Sequence, residues 1–145
     1  MSRTATVRTE LELRLVVVGG PPLAVLADLR YETDDPWAVR MAFHIDDGAG
    51  RAGDSTVEWI FARQLLVDGF TGPVGDGDIR VWPAYADADF VINLAMASPS
   101  GSAVFEIDRE PLVQFLQETY LAVPTGTEAH VVDLDAELTL LLLQD

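Results

Sequence analysis

The feature that most constrains this chain is a period-two alternation of apolar and polar side chains. At Val7, Thr9, Leu11, Leu13 and Leu15 the odd positions contrast with Arg8, Glu10, Glu12 and Arg14 between them. A strand places such residues on two faces, one buried and one wet. After Gly19-Gly20-Pro21-Pro22, which cannot continue a strand, the alternation resumes at Leu23, Val25, Ala27, Leu29 and Tyr31, so the two segments read as a hairpin with a longer connection.

The stretch from Tyr31 to Leu66 organises the rest. Thr33-Asp34-Asp35-Pro36-Trp37 has the residues of a turn: aspartates bond their own backbone and proline presets the turn dihedral. Beyond it Val39, Met41, Phe43 and Ile45 point one way, and Arg40, Ala42, His44 and Asp46 the other. The loop from Asp46 to Ser55 holds three glycines and three aspartates, which predicts a mobile connection. Val57-Glu58-Trp59-Ile60-Phe61 alternates again and runs into Ala62-Arg63-Gln64-Leu65-Leu66, a short helix by propensity, with Gly69 as its expected left-handed cap.

Gly72-Pro73 and Gly75-Asp76-Gly77 read as a tight loop before a strand at Asp78-Ile79-Arg80-Val81-Trp82, which Pro83 ends or marks as an edge. Phe90, Ile92, Leu94 and Met96 make another strand, and Ala103 to Ile107 a seventh. At Asp108, an expected N-cap, the period changes to 3.6. The predicted helix carries its apolar stripe on Leu112, Val113, Leu116, Thr119, Tyr120 and Val123 and stops at Pro124-Thr125-Gly126. Asp133 is placed to cap a last helix, with Leu134, Leu138, Leu141 and Leu142 on one face.

Strands dominate the first two thirds and helices the last third. The expected class is α+β: a curved, mostly antiparallel seven-stranded sheet or barrel with C-terminal helices. At 145 residues the chain suits a single domain spanning 1–145, large enough to bury roughly 70% of its unfolded surface. The apolar run Leu140 to Leu143 exceeds one buried stripe, which suggests an oligomer contact through Leu141 and Leu143 as strongly as a helix packed on two sides within its own subunit.

Few residues invite chemistry. Asp34 and Asp35 precede a proline and read as turn formers rather than an acid/base pair. His44 and Asp46 share a strand face at metal-compatible spacing, with His130 the other imidazole, but exposed strand residues are the better reading. Asp76-Gly77-Asp78 lacks the further ligands of a calcium loop. The sequence has no nucleophile elbow, phosphate loop, dinucleotide fingerprint or His-Glu-x-x-His, so no enzyme activity and no metal or cofactor is expected. Without cysteine there is no disulfide framework; with no apolar run near 18 residues, the expectation is a cytoplasmic protein without membrane insertion.

Curved sheets with exposed aromatics can stack single-stranded nucleic acid, and Trp37, Trp59 and Trp82 admit that alternative. Trp59, between Val57 and Phe61, is better read as core. The net charge of −15, from 24 acids against nine arginines and no lysine, opposes phosphate approach. Nucleic acid is therefore not the expected partner.

Val57 to Leu66, followed by Gly77-Asp78-Ile79-Arg80-Val81-Trp82-Pro83, resembles the SsgA-like family of sporulation and cell-division regulators from actinobacteria. The turn Thr33-Asp34-Asp35-Pro36 with Val39 and Phe43-His44, then Ala97-Ser98-Pro99 and Val123-Pro124, match as well, so the resemblance covers nearly the whole chain. Gly126-Thr127-Glu128 and Asp133-Leu134-Asp135 look most like the SsgB branch, while Gln64 stands where an acidic residue is usual. The resemblance implies a non-enzymatic protein that localises the tubulin-like division GTPase FtsZ to septum sites, with a membrane-associated family partner as a further candidate. It also implies a Whirly-like or guide-RNA-binding-protein-like fold assembled as a homotrimer. Arg63 and Arg80, one in each of the two longest motifs, are the candidate partner-binding residues; pairing with internal acids is the competing reading.

Overall fold

Eight strands and two helices follow one another: β1 (Thr6–Leu15), β2 (Leu23–Glu32), β3 (Ala38–Ile45), β4 (Ser55–Ala62), α1 (Arg63–Asp68), β5 (Val74–Asp76), β6 (Ile79–Ala86), β7 (Asp89–Ser98), β8 (Gly101–Asp108) and α2 (Arg109–Ala122). The computed structural model describes residues 5–45, 55–86, 88–99, 101–124 and 126–128. The strand expected last in order is thus the eighth rather than the seventh. The addition is β5, three residues long, where the sequence suggested only a loop. The proposed last helix, with Leu141 and Leu143, lies outside the described residues.

The sheet order is β4-β3-β2-β1-β8-β7-β6-β5, antiparallel throughout. Two four-stranded meanders therefore meet at β1 and β8, where the register is short, Arg14 opposite Glu106 and Leu15 opposite Phe105. Phe43 of β3 stacks on Phe105 of β8 with ring centroids 4.7 Å apart. In a flat sheet three strand spacings, about 14 Å, would separate β3 from β8. The sheet must therefore curl, and its concave face holds the core: Leu11, Leu13, Leu29, Tyr31, Met41, Phe43, Ile92, Leu94 and Ile107 are all buried there.

The helices close the curl. From α2, which packs against β1, β7 and β8, Leu112, Phe115 and Leu116 enter the core, joined by Val123 just past its end. Phe115 replaces Val113 in the stripe the sequence suggested, because Val113 lies at its margin and is only half-buried. Asp108 occupies the N-cap position but makes no side-chain cap; its carboxylate instead accepts a hydrogen bond from Arg14 Nη2 at 2.8 Å. Gly69 ends α1 in a right-handed conformation, φ −65° and ψ −16°, rather than the expected left-handed one. Space explains the glycine, since a Cβ there would overlap Val81 Cγ1. Gly69→Ala is accordingly expected to cost about 1–3 kcal/mol by overpacking. Urea unfolding measures it, and a Val81→Ala background should restore part of the loss.

On the convex face of the first meander, Arg8, Arg30 and Arg40 stand in cross-strand register. Like charges directly opposite one another destabilise a sheet unless acids intervene. Here Asp28 pairs with Arg8, Glu58 lies between Arg30 and Arg40, and Asp35 pairs with Arg40. His44 Nε2 lies 2.9 Å from Asp28 Oδ2. That hydrogen bond is the main reason the Asp28 carboxyl titrates below its ordinary 3.8; burial opposes the shift and Arg8 adds to it. A depressed folded pKa stabilises the fold above the unfolded value and loses that contribution as pH falls through the folded one. Asp28→Asn should thus be less stable than wild type at neutral pH, with the gap closing in acid below 3.8. A gap that persists there by urea titration would assign the loss to packing instead.

Candidate partner-binding groove

The second meander builds an open groove on its convex face. Asp76 pairs with Ile79, so Gly77 and Asp78 form a two-residue hairpin loop, and Gly77 has φ +61° at its first position. Positive φ there with glycine first is the pattern of a type II′ turn, whose twist suits adjoining strands. Along β6, Ile79 and Val81 face the core, so Arg80 and Trp82 face outward. The cross-strand neighbours of Arg80 are Gly75 on β5 and Ala95 on β7. Both are too small to cover the guanidinium or pair with it. Pro73, Val74, Gly75, Gly77, Arg80, Trp82 and Ala95 line the resulting depression of about 810 Å³.

Arg80 also differs electrically from the other described arginines. Arg8, Arg14, Arg30, Arg40 and Arg63 each form an ion pair, and Arg109 lies 5.7 Å from the ring centre of Phe90. Arg80 has no ion-pair partner among the described residues. In a chain of net charge −15 an exposed arginine with no ion pair among the described residues is unusual.

The edge beside this groove is partly blunted. Asp78 O accepts from Ala97 N at 2.9 Å, which assigns the even positions of β6 to bonding with β7 and the odd positions to the other side. Beyond Val81, where β5 has ended, no described strand pairs with that other side. Pro83 therefore turns its donor-less nitrogen to that side, a position that discourages another strand from pairing there.

Arg63 has the opposite environment. It is 2% exposed, and its guanidinium reaches the C-terminus of α2. Nη1 donates to Val123 O at 2.8 Å and Thr119 O at 3.1 Å, while Nη2 lies 3.4 Å from Glu128 Oε1. Its plane stands 4.9 Å from the Tyr31 ring centre and 4.2 Å from that of Tyr120. Helix α2 has no basic residue in its last turn, so Arg63 supplies from α1 the cation that the negative helix end favours. Tyr31 donates its hydroxyl to Pro36 O at 3.0 Å, and burial pushes that hydroxyl up to about 12 while Arg63 pulls the other way. The structure thus turns Arg63 inward, and of the two candidate contact residues Arg80 alone is exposed.

The remaining candidates find structural roles. Asp35 N donates to Glu32 O at 2.9 Å within the Thr33–Trp37 turn, and its carboxylate pairs with Arg40. His44 pairs across the sheet with Asp28, while Asp46 and His130 lie outside the described residues. Among the described residues no group of three or more metal-ligating side chains forms. Trp59 packs against the core, whereas Trp37 is 53% exposed. No helix among the described residues is long and apolar enough to cross a membrane.

The groove lies on a segment whose relatives are recognisable. A family model described as Streptomyces sporulation and cell division protein, SsgA, matches residues 25–128. The chain belongs to the SsgA family. Within it, the chain is 48% identical over 140 residues to the sporulation-specific cell division protein SsgB of Frankia casuarinae, covering 97% of this chain and 94% of that one. SsgB of Streptomyces coelicolor is 45% identical over 139 residues, covering 96% and 97% of the two chains. A crystal structure of an SsgA-like sporulation-specific cell division protein from Thermobifida fusca superposes with a TM-score of 0.84 at 40% identity, covering 96% of this chain and 97% of that one. A second solved structure, presented with mutations in SsgB that correlate with longitudinal cell division during sporulation of Streptomyces coelicolor, gives 0.82 at 44% identity over 90% and 98%. The curled antiparallel sheet with its C-terminal helix is thus shared with SsgA-family structures.

Proposed function

We propose that this SsgA-family chain is a non-enzymatic scaffold of sporulation-specific cell division, which holds FtsZ at septum sites and works as a cytoplasmic homo-oligomer, a trimer, with contacts that include Leu141 and Leu143. The observation that carries the reading to a surface is Arg80, an exposed arginine with no ion pair among the described residues, beside Trp82 on the motif from Gly77 to Pro83. Arginine and tryptophan are enriched where protein contacts concentrate their binding energy. A membrane-associated family partner would use the same logic of local contact against an acidic background.

Cosedimentation with filaments of the purified GTPase tests the contact. The wild type is expected in the pellet, and Arg80→Glu in the supernatant with unchanged circular dichroism and light scattering. Because the chain is strongly acidic, recognition of another acidic protein is local rather than long-range, so retention should stay flat or improve at moderate salt. If Arg80→Glu pellets like the wild type, the groove is not the contact. The Whirly-like kinship implied for the family makes single-stranded nucleic acid the competing ligand. The pairing of five described arginines with acids favours the protein partner.

A further inference from the structure

Arg80 and Trp82 lie two positions apart on one face of β6, so their side chains are offset by about 6.8 Å along the strand. An extended peptide has the same repeat: its residues i and i+2 project to one side at that spacing. Gly75 and Ala95 flank Arg80 and Asn93 stands opposite Trp82, so small residues border the arginine end of the groove, and the Arg80 stem lies close over Gly75. The guanidinium offers a fork of donors to a carboxylate, and the indole offers a flat apolar face. Resting on the reading of this groove as the partner contact, we infer that it takes an extended peptide segment carrying an acidic residue and, two positions away, an apolar or aromatic one.

Charge supports the assignment of the acidic position, since Arg80 is the one described arginine with neither an ion pair nor a ring contact. Spacing supports the apolar position, since only every second residue of an extended segment reaches the same face. Pro83 removes a donor from the side of β6 beyond β5, which disfavours strand addition at that point and fits a segment held across the face by side chains.

Nuclear magnetic resonance titration of the Trp82 indole Nε1–H, assigned by its loss in Trp82→Phe, tests this with three flexible glycine-serine peptides. One carries Glu-Ser-Phe, one Glu-Ser-Ser-Phe and one Lys-Ser-Phe. The first should move the resonance saturably, and the other two should bind more weakly. Arg80→Glu should weaken the first peptide by about tenfold or more, the scale of a charge-assisted hydrogen bond. Ala95→Glu, which places an acid directly opposite Arg80 without removing it, should have the same effect in a folded protein. Equal binding of Glu-Ser-Phe and Glu-Ser-Ser-Phe, or Arg80→Glu binding like the wild type, would overturn the inference. So would displacement of the peptide by oligothymidine or by phosphatidylglycerol vesicles, which would assign the groove to phosphate. Filament retention that depends on Arg80 without any peptide binding overturns the motif and leaves the scaffold reading in place. Peptide binding without filament retention supports the motif and sinks the scaffold reading.

Discussion

Arg63→Ala is expected to lower the unfolding free energy by about 3–5 kcal/mol, the range for removing one partner of a buried ion pair. Three losses coincide. The carbonyls of Thr119 and Val123 at the end of α2 lose their common donor. Glu128, 7% exposed, is left as a buried carboxylate, although it retains the hydrogen bond from Gly126 N at 2.7 Å. Tyr31 and Tyr120 lose the cation between their rings. Thermal unfolding monitored by circular dichroism should shift by about 10 °C or more for a chain of this size. Adding Glu128→Gln to Arg63→Ala should recover part of the loss, because the unpaired charge is then removed. A single-variant cost below about 1 kcal/mol would mean that Arg63 behaves like an exposed ion pair, and its role in joining α1 to α2 would be wrong.

The contrast between the two motif arginines is partly legible in the sequence. In β4 the odd positions Val57, Trp59 and Phe61 lie on the concave side, and Arg63 is the next odd position. In β6 the buried residues Ile79 and Val81 flank Arg80 and so turn it outward. Parity within β6 turns Arg80 outward, whereas Arg63 opens α1, where strand parity ends, and its inward turn follows from its contacts with the end of α2. What parity could not supply was register: that Gly75 and Ala95 are the neighbours of Arg80 depends on which residues oppose it across β5 and β7.

The same limit explains the missed strand. In β5, Val74-Gly75-Asp76 is too short to alternate visibly, and glycine reads as loop; pairing with β6 is what makes it extended. The longer strands were legible because each exposes one face and buries the other, as in β3, where Val39, Met41 and Phe43 are buried between half-exposed Arg40 and Ala42. The curl was suggested by strand number and becomes specific only through long-range contact, Phe43 on Phe105. Asp108 shows a competition that sequence preference could not resolve: a good capping residue is claimed by Arg14, 94 positions away.

The largest functional effect is expected from the assembly. A filament repeats its surface, so an oligomer with identical grooves binds its second and third sites at a high effective concentration. Avidity can then exceed single-site affinity by roughly 10²–10⁴ without any new contact, provided the groove spacing matches the filament repeat. One arginine and one tryptophan per subunit would suffice under those conditions. The variant that separates the terms is Leu141→Glu with Leu143→Glu, which should give a folded monomer with native-like circular dichroism and an intact groove. Global unfolding of that variant would instead favour packing of the leucines within one subunit, and a monomeric wild type by light scattering would refute the assembly outright. The most direct measurement is the filament concentration needed to pellet half of each protein. The scaffold account predicts that the folded monomer requires about 10² times more filament than the oligomer, or fails to pellet; half-retention of both at the same concentration would contradict it.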